Sequence, residues 1–449
     1  MNINKFIKSH LNFKGYSIVN IENKHIHHNK TSSTQEAIYI YLEPRKNKVY
    51  HCPICHKKCK GYDTQYQSRT WRCMDLFGYK CYICCSLPRV SCKEHGIITA
   101  DVPFAYHNSR FTKEFELYVG YLSLHLSKSE ASQIAMIDWH TVGSILSRVR
   151  HIVEPDLNKR LDNLRYIAVD ETSYKKGHKY ITVIINLENN EVVWMAKNHG
   201  KTVFKSFFDY LSDEQISSIQ VVAADGAKWV DEVIKEVNPN ITRCIDTFHC
   251  VEWALSALDD VRKVIASDTK KPKEKRSKGR PRKDEQVEKN EGYKNLKRSK
   301  YPLGKNPENL TEYQTAHLEL ILATNPTLNR AYQLKEKLRL LFKLKDKEEV
   351  IKELGSWLSW AQRCRIKEFV ELAKKIKRHY NAIINTITLG INSAKIESTN
   401  NKIKLLIRKA YGFRNFNNLT DMIYMTCSNY KLNLPCRGLP ITTIIKTNE

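Results

Sequence analysis

The sequence predicts an α/β protein in which an α/β sheet region is preceded by two small modules, one rich in cysteine and one helical, and followed by a strongly helical segment. Three observations carry this. Eight of the 13 cysteines, at positions 52, 55, 59, 73, 81, 84, 85 and 92, fall in one 41-residue window. Between Tyr166 and about Lys263, three strand patterns follow one another and then alternate with helical ones. From 308 to 390 the apolar residues recur at helical spacing, as in LELILA, LKEKLRLLF, LGSWLSWA and FVELAKKI.

Taken in order, residues 1–100 form a β-rich, Cys/His-rich module with short strand candidates at 37–42 and 78–84 bounded by polar turns. Residues 108–153 show helical periodicity with a break near Ser127 to Ser129. Residues 164–264 hold YIAVD, YITVIINL and EVVWMA, a helical stretch, VVAAD, a second helical stretch and RCIDT, a sheet that opens with an antiparallel meander. Residues 265–385 contain a basic arm and the helical segment. From Thr269 to Lys300, 14 Lys and Arg stand against 5 Asp and Glu, and only Val287, Tyr293 and Leu296 are sizeable apolar side chains, so this stretch reads as a solvated linker. Residues 386–430 include a polar, basic stretch from Asn392 to Asn415, and 431–449 form a tail.

The chain has 449 residues, 74 Lys and Arg and 48 Asp and Glu, a formal charge of +26. That excess points to a polyanionic partner and argues against a neutral metabolic enzyme. A hydrophobic content of 41% excludes wholesale disorder. The longest apolar runs, such as Tyr180 to Leu187, fall short of the roughly 20 residues of a bilayer span, and the N-terminus lacks a secretory pattern. A cytoplasmic protein with no membrane partner is expected, and clustered thiols in a reducing compartment more often bind metal than form disulfides.

Cys52-Pro-Ile-Cys55 and Cys92-Lys-Glu-His95 are two close ligand pairs joined by a loop, the pattern of a closed structural Zn2+ site. Cys81 and Cys84 are a rival second pair, disfavoured because 79–90 reads as a strand whose alternate residues face opposite ways. His51 and His56 read as polar neighbours. Lys128 to Ala135, a short turn at Met136 to Asp138, and Trp139 to Leu146 read as helix-turn-helix. Ser129 would cap the first helix, and Ala131 and Ile134 would pack inward. Trp139, His140, Thr141 and Ser144 would face the major groove, backed by Arg148 and Arg150.

Two apolar strand patterns end in acids, Asp170 and Asp225. Carboxylates delivered by one sheet to one edge can share divalent ions in two-metal phosphoryl transfer. Glu397 is placed to supply a third acid, with Lys395, Lys402 and Lys404 suited to a phosphodiester. Periodicity alone does not select Glu397.

These residues carry a resemblance. Asp170-Glu171, then Tyr174-Lys-Lys-Gly-His178-Lys-Tyr180, Asp225, Asp246-Thr-Phe-His249, Ile396-Glu397-Ser-Thr-Asn400-Asn-Lys-Ile-Lys404 and Arg408-Lys-Ala-Tyr411-Gly-Phe413-Arg-Asn415 resemble, in order, the bacterial insertion-sequence transposases of the ISL3 family. The likeness runs from the zinc knuckle to Asn415. It implies a zinc-finger head, a helix-turn-helix and a ribonuclease-H-like catalytic core with a DDE triad split by the helical insertion. It implies that Asp170, Asp225 and Glu397 hold two Mg2+ or Mn2+ ions, with Asp246 and His249 in support and Asp246 as the competitor of Asp225. Glu171 would face away from them, on the other side of its strand. His178 and Tyr180 match the pattern, with packing as their ordinary role. Lys402, Lys404 and Arg408 would meet DNA, and Arg280 and Arg282, in Lys278-Gly-Arg-Pro-Arg-Lys283, resemble a minor-groove hook. The implied substrate is double-stranded DNA, both terminal inverted repeats and target, handled by a homo-oligomer. His95 departs from the family's usual cysteine and remains a competent ligand. A DNA-binding regulator derived from such an element, or a nuclease that cuts without joining, are the alternative readings.

Overall fold

The computed structural model describes residues 13, 15–27, 34–269, 291–391, 393–434 and 445–447. The chain forms two compact units, one of Met1–Asp156 with Leu405–Glu449 and the other of Leu157–Lys404. Among the described residues no helix is long and apolar enough to cross a membrane.

The first unit begins with a sheet of β1 (Tyr16–His27), β2 (Thr34–Pro44), β3 (Tyr50–His51), β4 (Lys58–Leu76), β5 (Tyr79–Cys92) and β6 (Gly96–Thr99). The order is β1-β2-β5-β4-β3, with β6 on β5. β2 and β5 run parallel; the other pairs are antiparallel. Alternation brings Tyr16, Ile40, Leu42, Trp71, Ile83 and Cys85 into one core with Phe104, whose ring meets Tyr16 and Trp71 edge-on. The expected strands at 37–42 and 78–84 lie within the longer β2 and β5, apart from Gly78, which stands in the preceding turn.

Three helices follow: α1 (Lys113–His125), α2 (Lys128–Ala135) and α3 (Trp139–Val153). The cap of α2 is Ser127, not Ser129, and Glu130 completes a capping box. Met136, at φ 50°, ends α2, and Asp138 caps α3. Ala131, Val142, Ile145 and Val149 are buried, whereas Ile134, expected inside, is exposed. Glu116 on α1 is fully buried. It accepts hydrogen bonds from Arg148 Nε at 3.0 and 3.1 Å.

The second unit contains β7 (Tyr166–Lys175), β8 (Lys179–Asn186), β9 (Glu191–Lys197), α4 (Lys201–Asp209), α5 (Asp213–Ser218), β10 (Val221–Ala224), α6 (Lys228–Val237) and β11 (Thr242–Ile245). The sheet order is β11-β10-β7-β8-β9, an antiparallel meander of β7, β8 and β9 extended by two strands parallel to β7. Phe204, Phe207, Val230 and Val233 cover it together with Ile167, Val169 and Val222.

α7 (Thr247–Asp268) leaves the sheet for a helical segment of α8 (Glu291–Arg298), α9 (Lys300–Gly304), α10 (Glu312–Thr324), α11 (Pro326–Leu341), α12 (Lys347–Arg363), α13 (Lys367–Arg378) and α14 (Tyr380–Thr388). Trp357 is fully buried there and donates its indole N–H to the Leu334 carbonyl at 2.8 Å. The end of the expected linker departs from the reading above. Glu291–Arg298 is helical and buries Leu296 in the same core as α7, because one apolar face is enough once a neighbouring helix receives it. α14 then returns to β11. Thr386 Oγ1 accepts the Ile245 N–H at 2.9 Å and Asn385 Nδ2 donates to the Arg243 carbonyl at 3.2 Å, so side chains cover this edge strand.

α15 (Ser393–Lys409) and α16 (Phe416–Thr426) follow, and β12 (Tyr430–Leu432) pairs with β13 (Ile445–Thr447). Residues from Leu405 onward group with the first unit, where α16 packs on α3 and Met425 joins the helix-turn-helix core. There Arg150 Nε lies 3.2 Å from Asp421 Oδ1, with both side chains buried.

Removing one partner of a buried pair leaves the other charge unpaired. Asp421→Ala is therefore expected to cost about 3 kcal/mol or more in chemical denaturation. The double variant Arg150→Met, Asp421→Leu should recover most of it; equal losses in the two would refute this account.

Candidate active site and metal centre

Register places the first two acids together. β10 pairs with β7 through Val221↔Tyr166, Val222↔Ile167 and Ala223↔Ala168. Carried two residues further, past the end of β10 at Ala224, the same offset would bring Asp225 toward Asp170; the acid within electrostatic range of Asp170 is Asp246. Asp170 does not end its strand, since β7 continues to Lys175; it lies where β10 stops. β11 pairs Ile245 with Ala224, and the Asp246 N–H donates to the Ala224 carbonyl at 3.0 Å, so Asp246 follows on the third adjacent strand.

The surroundings of these acids differ. Burial pushes the Asp170 carboxyl above the usual range, opposed by the Glu171 N–H, by His249 and by Asn400. Asn400, on α15, donates Nδ2 to Asp170 Oδ2, while its Oδ1 accepts from Thr172 Oγ1 at 3.0 Å. Glu397 precedes Asn400 by three residues on α15, the spacing of one helix face, and is exposed. Asp225 accepts the Ala227 N–H at 3.0 Å and its carbonyl is held by Arg243. Asp246 caps α7 through the Phe248 N–H, and His249 Nε2 stands 3.8 Å from Asp246 Oδ2.

Glu171 accepts the Gly200 N–H at 3.1 Å and lies 3.6 Å from His199 Nδ1, and its carboxyl is within electrostatic range of Asp225 and Asp170. His178 occupies an exposed turn at φ 55°, and Tyr180 packs on His199. Of the lysines around Glu397, Lys395 donates to the Leu187 carbonyl at 2.6 Å, while Lys402, Lys404 and Arg408 are exposed.

The sequence reading missed Asn400 and Thr172 as partners of Asp170, and it missed what lies behind Asp225. A Cβ on Gly226 would stand 2.4 and 2.6 Å from two ring carbons of Trp253, so glycine is what admits the indole beneath this loop. The signal for Asn400 was its i+3 spacing from Glu397. Nothing local marks Trp253.

In the first unit, one ligand atom each from Cys52, Cys55, Cys92 and His95 lie within 4.8 Å of one another. Cys52 Sγ and Cys92 Sγ each stand 3.6 Å from His95 Nδ1, and Cys55 Sγ is 3.7 Å from Cys92 Sγ. Backbone N–H groups of Glu94 and His95 pull the Cys92 thiol down to about 6, which favours the thiolate. The rival pair stays in β5, where Cys81 is paired in register with Cys73 and Cys84 lies 3.6 Å from Thr70 Oγ1.

On α3, His140 and Ser144 are exposed, Thr141 is partly so, and the Trp139 ring carries Lys128 Nζ 3.4 Å from its centroid. Arg148 and Arg150, expected to back this face, are held by Glu116 and Asp421. Arg280 and Arg282 lie outside the described residues.

Comparison with known proteins gives a consistent result. Residues 167–423 match the ISL3 DDE family model described as a transposase, and residues 100–150 match the helix-turn-helix domain of transposase family ISL3. The chain is 40% identical over 403 residues to the transposase for insertion sequence element IS1557 of Mycobacterium tuberculosis, covering 88% of this chain and 90% of that one. It is 24% identical over 379 residues to the transposase for insertion sequence element IS1001 of Bordetella parapertussis, covering 84% and 88%.

Gly226→Ala should force the indole or the Asp225 loop to move. A loss of about 1–3 kcal/mol in denaturant unfolding is expected, the range for overpacking. Unchanged stability together with unchanged Trp fluorescence would show that the loop is not seated on Trp253.

Proposed function

The chain belongs to the ISL3 family of insertion-sequence transposases, and on that premise we propose how its residues divide the work. It is a DDE transposase that binds the ends of its element and cleaves and joins DNA strands in a metal-dependent reaction. We infer that Asp170, Asp225 and Glu397 are the catalytic triad. The observation that supports this is the β7–β10 register, whose offset, continued past Ala223 and Ala168, would bring Asp225 and Asp170 to one sheet edge, with Asn400 fastening the helix of Glu397 to Asp170. The strand order, a meander flanked by parallel strands, supports a ribonuclease-H-like core, with the helical insertion entering after β11.

The donor set is all carboxylate, which suits hard ions such as Mg2+ or Mn2+. Two such ions activate the attacking oxygen and stabilise the leaving one in an in-line displacement. The chain holds one Asp170 oxygen through Asn400, keeps His249 beside Asp246 as support for the site, and offers Lys402, Lys404 and Arg408 to phosphates. Water serves first as the nucleophile, releasing a 3′-hydroxyl that then attacks target DNA, and no covalent protein intermediate is needed. Trp139, His140, Thr141 and Ser144 would read the terminal inverted repeats, Arg148 acting on their placement through Glu116 and not on bases. Two ends joined in one complex call for more than one copy of the chain.

For the head we propose one structural Zn2+ on Cys52, Cys55, Cys92 and His95. With zinc about 2.3 Å from sulfur and about 2.0–2.1 Å from nitrogen, a tetrahedron has S···S edges of about 3.8 Å and S···N edges of about 3.6 Å. The distances above support this fit, and all four positions are filled by protein, as in sites that stabilise folds.

Asp170→Ala, Asp225→Ala and Glu397→Ala should each lower metal-dependent strand cleavage by at least about 100-fold while end binding in gel-shift assays is retained. Retained cleavage in one of them would remove that acid from the triad. Strand-transfer products distinguish this enzyme from a nuclease that only cuts. Cys52→Ala should instead weaken end binding and eliminate one zinc per chain by metal analysis. A zinc-free preparation that binds ends normally would reject that centre.

A further inference from the structure

We propose that Lys375, brought to the site by the helical insertion, is a phosphate-binding residue that contacts the DNA backbone beside Asp225. The proposal rests on the reading of Asp225 as a triad member. Lys375 lies on α13, and its Nζ stands 3.5 Å from the centroid of the Trp253 ring. Trp253 in turn lies flush against Gly226, the residue after Asp225. The ammonium is thus fixed by an indole face at the loop that carries the second acid, and Asp225 is within electrostatic range of it.

Among the described residues Lys375 has no carboxylate within ion-pair distance and no hydrogen-bond acceptor, so its N–H donors are unspent. The adjacent Lys374, by contrast, is paired with Glu371 at 2.8 Å. Lys375 is partly buried, and burial, followed by smaller effects that include repulsion from Arg378, holds its ammonium below the ordinary lysine range. A cation stripped of part of its hydration and lacking a carboxylate gains more from an arriving phosphate than a solvated surface lysine does. The bland role for this side chain is an aliphatic stem packed on Trp253. Charge and packing can be separated by substitution.

Lys375→Met keeps an unbranched stem on the indole and removes the charge; Lys375→Arg keeps the charge. On DNA carrying the inverted repeats that flank the gene, K375M should bind ends within about twofold of wild type and cleave about 10- to 100-fold more slowly at saturation, the range expected for one charge-assisted hydrogen bond. K375R should recover most of the rate, and Lys374→Ala should match wild type. A neutral methylphosphonate at the contacted phosphate should slow wild type to the K375M rate and leave K375M unchanged, a coupling that packing alone does not produce. Wild-type cleavage by K375M, or methylphosphonates that slow both proteins equally at every position near the scissile bond, overturns the proposal. Should K375M lower the melting temperature, Lys375→Gln repeats the same comparison. Asp225→Ala is run alongside. Cleavage by that variant overturns the reading of the acids, whereas its inactivity with a normal K375M overturns the role of Lys375 alone.

Discussion

One amide joins the beginning and the end of the catalytic unit. Asn400 donates to Asp170 and accepts from Thr172, so α15 is fixed to β7 although 230 residues of chain separate Asn400 from Asp170. Both of its polar ends are used, which fixes the rotation of the side chain as well as its position. Helical spacing then determines where Glu397 stands, one turn earlier on the same face. Together with Lys395, which donates to the Leu187 carbonyl at the end of β8, this contact ties the helix of the exposed Glu397 to the sheet. Asp170 gains as well, because a buried carboxyl that burial drives toward the neutral form is held toward its charged form by the amide.

The return path of the helical segment ties it to the sheet. Thr386 and Asn385 occupy the open side of β11, which would otherwise present unpaired backbone groups to other chains. α7 begins at Asp246, and its Trp253 lies beneath Gly226. The departing helix therefore supports the second acid, and the returning helix α14 closes the edge from which it departed. A loop of this length adds only slowly to the entropy of closure, so a long insertion is tolerated when its two ends are anchored this firmly.

How much of this was legible in the sequence depended on the range of each interaction. Cys52, Cys55, Cys92 and His95 could be grouped because each pair is local and only one loop joins the pairs. The strand patterns ending at Asp170 and Asp225 could be read from apolar runs, although the end of β7 was misplaced by five residues, since TSYK is as compatible with a strand as with a turn. Helix caps were readable to within two positions: Ser127 and Ser129 are both serines before the same helix, and only Glu130, three residues after Ser127, favours the former. Several further failures are at long range. Arg148 and Arg150 were expected to back the groove-facing surface, but the partly exposed Arg148 is held by Glu116 and the buried Arg150 by Asp421. Leu296 looked solvated in a stretch with too few apolar residues of its own, and became buried because α7 lies beside it.

The helix-turn-helix core is completed by a distant part of the chain. Asp421 lies 271 residues after Arg150, and at roughly 5–20 residues per second a ribosome needs on the order of a quarter of a minute to a minute to reach it. During that interval Arg150 has no Asp421 to neutralise it, and the face of α3 that α16 will cover is open. A copy of the gene interrupted after Glu397 would keep every proposed catalytic acid and still yield a protein whose helix-turn-helix is unfinished.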